Sequence, residues 1–286
     1  MKFITEIKIP DYPFQIDFSD KIMLLGSCFS DHIGSFFETN QFQVLSNPFG
    51  TLFNPISIAN ALNLSLNPTL FNESLVDYFN GQWISYSHHG KFSHFDKTVF
   101  IQNIEQQLQQ GHDFLLKTDF LFVTFGTAFC YRLIERDLIV ANCHKIPAVK
   151  FEKIRLTIEH IVEIYRRLMD KLVKEKPTLK IIFTVSPVRH LGDGFHENQL
   201  SKSILHLAID ALVDDQHYFY FPSYEILQDD LRDYRFYAQD LSHPGENALL
   251  YIEEKVMEKF FSKFTLDKIA KQVKNNKLLN HRKLKI

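Results

Sequence analysis

A doubly wound α/β fold is predicted by three features of the sequence. Short apolar runs recur along the chain, and the first three stop at a glycine or a Ser-Pro pair. Helix-length amphipathic patterns lie between them, so the order is strand, helix, strand, helix. The apolar runs also show no polar alternation, which is how strands covered on both faces of a parallel sheet read. Together these place the chain in the α/β class.

In chain order, residues 22–25 (Ile-Met-Leu-Leu) are the first strand and stop at Gly26. A helix follows with Ile33, Phe36 and Phe37 turned inward. The stretch 65–115 is rich in Asn, Ser, Gln and His, has weak periodicity, and is expected to be an insertion or cap. Residues 120–125 (Phe-Leu-Phe-Val-Thr-Phe) form the next strand, ending at Gly126. Over 151–175, Ile154, Ile158, Ile161, Tyr165, Leu168 and Leu172 recur at steps of four and three, so one helix is expected until Pro177 stops it. Residues 179–185 are a third strand, ending at Ser186-Pro187. A helix over 199–213 is expected to bury Leu200, Ile204, Leu207 and Ala211. Residues 218–221 are a fourth strand. The last helix, 246–261, carries Leu249, Ile252, Val256 and Phe260, with Pro244 expected at its first position.

Composition narrows the class further. The 286 residues are 45% hydrophobic and 23% charged, which excludes a disordered or collagen-like chain and supports one principal domain, taken as 1–262. The 28 Phe residues suit cores and clefts and carry no function by themselves. A formal charge of −2 gives no whole-molecule field for a polyanion, and no nucleic-acid partner is expected. The charge is uneven, since 263–286 holds Lys268, Lys271, Lys274, Lys277, Arg282, Lys283 and Lys285 with no acid after Asp267. Such a basic tail is read as a solvated end. Three cysteines do not make a disulfide framework and suit a reducing compartment. Glu6 and Lys8 interrupt any signal-like stretch, and no run of about 18 apolar residues offers a membrane span, so a cytoplasmic protein is expected.

Ligands of such sheets bind beyond the carboxyl ends of the strands. At the first such end, Gly26-Ser27-Cys28 turns from strand into helix. A nucleophile there sits beside helix N–H groups that stabilise an oxyanion and favour a thiolate. The plainer alternative is a helix cap from Ser27 or Ser30, with Cys28 as a small apolar residue. Near the other terminus, Asp240 lies three residues before His243. A carboxylate at that spacing can hold one imidazole nitrogen and leave the other as a general base. Arg189 and His190 follow the third strand, where arginine suits a carboxylate or phosphate, or an ordinary ion pair. His88, His89 and His94 have no metal-ligand spacing, adjacent Cys143 and His144 point apart on extended chain, and no dinucleotide or phosphate loop occurs. No cofactor or metal is expected.

The segment Gly26-Ser27-Cys28-Phe29-Ser30 resembles the signature of the GSCFA family, named for Gly-Ser-Cys-Phe-Ala, with Ser30 in place of the final Ala. The resemblance continues through Asn47-Pro48-Phe49-Gly50, Phe53-Asn54-Pro55 and Ala141-Asn142-Cys143-His144-Lys145. It extends to Ser186-Pro187-Val188-Arg189-His190, Pro222-Ser223-Tyr224-Glu225-Ile226, Arg235-Phe236-Tyr237-Ala238 and Asp240-Leu241-Ser242-His243-Pro244. That family looks like a branch of the SGNH/GDSL hydrolases, which implies a flavodoxin-like sheet and acyl-ester hydrolysis or O-acyl transfer on a carbohydrate or small ester. It also implies His243 as base, Asp240 as its orienting carboxylate, and Cys28 or, one residue earlier, Ser27 as nucleophile. The usual Gly-x-Asn-Asp block falls on Gly126-Thr127-Ala128-Phe129, so Ala128 stands where an oxyanion amide is normal. Gly50, Asn47, Thr127 and Asn142, with Arg189 and His190, are the candidate oxyanion or substrate-binding groups. The missing amide keeps a second expectation open: a non-catalytic protein that binds a glycan or small ligand in the same cleft.

Overall fold

Five parallel strands form the central sheet: β1 (Lys21–Gly26), β2 (Gln43–Ser46), β3 (Phe120–Phe125), β4 (Lys180–Val185) and β5 (Tyr218–Tyr220). The computed structural model describes residues 5–271. Spatial order across the sheet is β2-β1-β3-β4-β5. β1 pairs with β2 on one side (Ile22 opposite Val44) and with β3 on the other (Ile22 opposite Phe120). The strand order therefore reverses between β1 and β3, the flavodoxin-like switch point at which such sheets open a crevice.

Alternate residues of each strand supply opposite faces, as the pleat requires. Met23, Leu25, Leu121, Val123, Ile181 and Phe183 join the larger core with α2 (Pro55–Leu66), α3 (Lys97–Leu115), α4 (Ile158–Glu175) and α5 (Phe195–Asp210). Ile22, Leu24, Phe120, Phe122 and Ile182 face the other way, onto α1 (Cys28–Thr39) and α6 (Glu246–Phe260). That second layer is where much of the phenylalanine goes: Phe36, Phe37, Phe42, Phe260 and Phe261 pack there ring against ring.

Four sequence expectations change. Much of 65–115 is not an excursion, because Phe100, Ile104, Leu108 and Leu115 of α3 are buried in the main core. Its apolar residues are spaced four, four and seven apart among Gln and Glu, a thin but sufficient stripe. Only the hairpin Val76–Phe79 with Gln82–Ser85 stands apart as a separate two-stranded sheet. We expect Ile104→Val to cost about 1 kcal/mol in urea unfolding, against about 0.5 kcal/mol or less for exposed Val99→Ala.

The helix expected over 151–175 begins only at Ile158, where the Thr157 side chain accepts from the His160 N–H. Before it, Phe151–Arg155 is a strand, paired antiparallel with Phe129–Leu133, which also pairs with Leu138–Val140. Pro244 is not the first residue of a helix either. Asp240 Oδ1 accepts the N–H groups of Ser242 and His243 at 2.9 Å, Leu241 takes a φ of 55°, and Gly245 caps α6. Closing that Asx turn delays the helix to Glu246.

α5 is rotated from its expected face. Leu207 is 54% exposed, while Asn198, Ser201, Lys202, Leu205, Ala208 and Ile209 are buried. Residues 263–271 form a further helix, and the remainder of the basic tail, 272–286, lies outside the described residues. Among the described residues no helix is long and apolar enough to cross a membrane.

Candidate active site

The crevice edge is built first by the turn after β1. Gly26 adopts a φ of 150°, its N–H donates to Asn47 Oδ1 at 2.8 Å, and its carbonyl accepts from Leu52 at 2.8 Å. Asn47, itself at a φ of 44°, donates its Nδ2 to Asp31 at 2.7 Å, and Thr51 Oγ1 donates to the second Asp31 oxygen at 3.1 Å. Asn47 thus clamps the turn to α1, and its amide is committed to Asp31. Gly50 likewise gives its N–H to the Asn47 carbonyl at 2.8 Å, so it shapes the loop rather than offering a free donor.

Ser27 caps α1, its hydroxyl accepting from the Phe29 N–H at 3.3 Å, and it is wholly buried. Cys28 is the first residue of the helix and remains partly exposed. Its thiol is pushed up from the ordinary value, first by burial and then by the Asp31 carboxylate. The N–H groups of Phe29 and Cys28 and the Lys202 charge act in the opposite direction, toward thiolate. Cys28 at rest is therefore a thiol and needs a base.

β3 ends in a second turn. The Gly126 and Thr127 N–H groups both donate to the Phe53 carbonyl, at 2.8 and 3.0 Å, which ties the Phe53-Asn54-Pro55 segment over the strand end. Thr127 Oγ1 lies 3.1 Å from Ser201 Oγ and accepts from the Phe129 N–H. Ala128 is buried, and its N–H goes to Ser201 Oγ at 2.8 Å. No amide side chain stands at this position.

After β4, the Arg189 N–H donates to the Ser242 carbonyl at 3.0 Å and joins this loop to the Asp240–His243 turn. The Arg189 guanidinium lies 5.1 Å over the Phe195 ring. His190 gives its N–H to Asn198 Oδ1 at 2.9 Å and sets its ring edge-on to Phe53. Its Nε2 is buried without a partner among the described residues, and a methyl at Gly126 would lie 3.3 Å from it. Burial, then Lys202 and His243, push His190 down to about 4, so it is neutral at physiological pH.

His243 Nδ1 lies 2.5 Å from Asp240 Oδ2. Asp240 is held down to about 2 by the backbone N–H groups of His243 and Ser242 and by the His243 ring. The carboxylate thus fixes the imidazole with Nδ1 facing it and Nε2 turned away.

Asn142 Oδ1 accepts from the His144 N–H at 2.7 Å, and His144 Nε2 lies 2.8 Å from the Ser85 carbonyl. His88 is a core residue paired with Ser85 Oγ and stacked on Phe49, while His94 accepts from the Asp96 N–H.

One polar group went unnoticed in the sequence. Lys202 of α5 is 1% exposed, and its Nζ donates to the Gly126 carbonyl at 2.8 Å and the Ser186 carbonyl at 2.7 Å. Burial brings its pKa down to about 7, with the Cys28 charge acting against that fall. The signal available was the run Asn198, Ser201, Lys202, which shares one helical face at spacings of three and four.

A flavodoxin-like α/β protein results, whose switch-point edge carries a half-exposed thiol at a helix start. A carboxylate-oriented imidazole is tied to the neighbouring strand end. A family model for the GSCFA family matches residues 21–260, and the chain belongs to that family. No match was found among the curated proteins. Among solved structures, the chain is similar to a Streptococcus pneumonia protein provisionally assigned as a platelet activating factor, with a TM-score of 0.41, 9% identity, and 84% and 83% of the two chains covered. It is also similar to an acetyl xylan esterase of the rumen bacterium Butyrivibrio proteoclasticus, with a TM-score of 0.40, 11% identity, and 88% of this chain and 66% of that one covered.

Proposed function

We propose that the protein is an acyl-ester hydrolase or O-acyltransferase with Cys28 as nucleophile, His243 as general base and Asp240 as its orienting carboxylate. The observation that carries the reading is the Asp240–His243 pair at 2.5 Å, which leaves Nε2 as the imidazole's working nitrogen. The exposure of Cys28 against the complete burial of Ser27 favours the thiol over the hydroxyl.

In this mechanism the Cys28 thiol gives its proton to His243 Nε2 as sulfur bonds to the ester carbonyl carbon. The carbonyl electron pair moves to oxygen, where the Cys28 N–H and the positive end of α1 favour the developing charge. When the C=O bond re-forms, the ester C–O bond breaks and the leaving alkoxide takes the proton from His243. A thioester remains on Cys28. Water, or an acceptor hydroxyl in transfer, then gives a proton to His243 and attacks the thioester. The free acid or new ester leaves, and sulfur recovers its proton. Chemistry of this kind needs a reduced Cys28, as a cytoplasmic setting provides. O-acylated carbohydrates and small esters are the substrate class we assign.

The test is to trap the intermediate. After incubation with a short-chain aryl ester and acid quenching, peptide mass spectrometry is expected to find a hydroxylamine-sensitive acyl group on Cys28. An acyl group on Ser27 would move the nucleophile, and none on either residue, with no turnover, would sink the enzymatic reading. That last outcome would favour a binding protein for a glycan or small ligand, the reading supported by buried Ala128 where an amide donor is otherwise expected.

A further inference from the structure

Arg189 is pinned from both sides yet left without a counter-charge. Its own N–H donates to the Ser242 carbonyl at 3.0 Å, one residue before His243. The next N–H, of His190, donates to Asn198 Oδ1 at 2.9 Å and ties the same loop to α5. The guanidinium lies 5.1 Å over the ring of Phe195, the first residue of α5, which is itself 65% exposed. Among the described residues, the arginines that form ion pairs are Arg132, Arg136, Arg155 and Arg167, and the Arg189 guanidinium makes no hydrogen bond.

Carboxylates are not lacking nearby, but each is already engaged. In the loop after β4 and the start of α5 the acids are Asp193 and Glu197. Lys153 takes Asp193, and Arg155 takes Glu197 at 2.9 Å. Asp240 is bound by the His243 ring and by two backbone N–H groups. Glu225, next to Tyr224, accepts the Tyr220 hydroxyl at 2.7 Å. An arginine serving the fold alone would draw on one of these acids. Stacking on Phe195 instead uses the face of the guanidinium and leaves its N–H edge open, the edge that receives a carboxylate.

We infer that Arg189 is a specificity-determining residue of the crevice: its guanidinium receives a carboxylate carried by the substrate. The inference deepens the reading of Cys28 as nucleophile and rests on it. The sheet sets the reach, since Cys28 follows β1, Arg189 follows β4, and β3 lies between. Two strand spacings, about 10 Å, therefore separate the guanidinium's loop from the thiol's turn. One guanidinium supplies a single charge and one fork, which matches a carboxylate, whereas a phosphate dianion calls for a second cation. O-acylated acidic sugars fit both the reach and the charge.

The experiment uses a label that needs no turnover. The compound para-iodoacetamidobenzoate alkylates a thiol and carries a carboxylate at this reach, and its methyl ester is the neutral match. Capture of Cys28 by each is timed by peptide mass spectrometry near neutral pH in wild type, Arg189→Met and Lys174→Met, with circular dichroism to confirm the fold. Lys174, in the last turn of α4 before β4 begins, removes an equal charge at the opposite edge of the sheet. The ratio of anionic to neutral capture is expected to fall about tenfold in Arg189→Met and to keep its wild-type value in Lys174→Met. An unchanged ratio in folded Arg189→Met overturns the inference, and so do two rates that change together, as loosened packing would give. An equal fall in Lys174→Met also overturns it, because net charge would then be the cause. Should Arg189→Met fail to fold, protection of wild type decides: para-acetamidobenzoate is expected to slow capture by the neutral label, and its methyl ester is not. Equal protection by the two overturns the inference. Charge selectivity that depends on Arg189 in a protein without esterase activity refutes the enzymatic reading alone. Acylation of Cys28 with no charge selectivity refutes the Arg189 inference alone.

Discussion

Replacing His243 by alanine is expected to lower kcat on a short-chain aryl ester about 10²–10⁴-fold, with KM and the urea midpoint nearly unchanged. The Cys28 thiol is raised by burial and by Asp31, so little thiolate exists without a base to take the proton. The imidazole is removed from an exposed turn and leaves no cavity, which is why stability is spared. Asp240→Asn is expected to give a similar loss in kcat, because an amide in this position can select the wrong imidazole tautomer. Asp240 is held near 2, so its own protonation contributes no inflection to the activity profile above about pH 4. Stopped-flow and steady-state assays of the two variants check this. Full activity in His243→Ala would remove it from the mechanism.

Gly26→Ala is expected to destabilise the fold by about 3 kcal/mol and to impair acylation of whatever protein remains folded. A Cβ at Gly26 would lie 2.3 Å from the Thr124 carbonyl oxygen, 2.8 Å from the Thr124 side chain and 2.9 Å from Ser30 Oγ. The carbonyl belongs to β3, which is paired on both sides and cannot withdraw. The φ of 150° is also one that a side chain disfavours. The clash therefore pushes β1 from β3 at the switch point, directly before Cys28. Gly192, with open space around its missing Cβ, is the control, and Gly192→Ala is expected to stay within about 0.5 kcal/mol in the same urea titration.

The sheet was legible because burial on both faces leaves no ambiguity in runs such as 120–125. The nearest neighbours of the site were legible where they are local, as Asp240 and His243 are bound through one turn. Arg189 and His190 were marked by their place at a strand end, and the structure adds that the Arg189 N–H anchors the His243 turn. Asn47 and Gly50 were expected as oxyanion or substrate-binding groups, but their hydrogen-bonding groups serve the turn after β1, a matter of long-range partners that spacing does not reveal.

α5 separates what each level decides. Periodicity favours the face with Leu200, Ile204 and Leu207, since apolar residues ordinarily point to a core. In the folded chain the buried face is instead Asn198, Ser201, Lys202 and Leu205. The N–H of Ala128 and His190 and the carbonyls of Gly126 and Ser186 lie against that face and need partners. The sequence by itself determined the strand runs, the alternation of layers, the thiol at a glycine turn and the Asp-His pair. Tertiary structure alone decided which face of α5 turns inward and that a lysine bridges the ends of β3 and β4. Hydrophobic pattern is written locally, whereas the demand of strand-end backbone groups for hydrogen bonds arises only when distant strands meet.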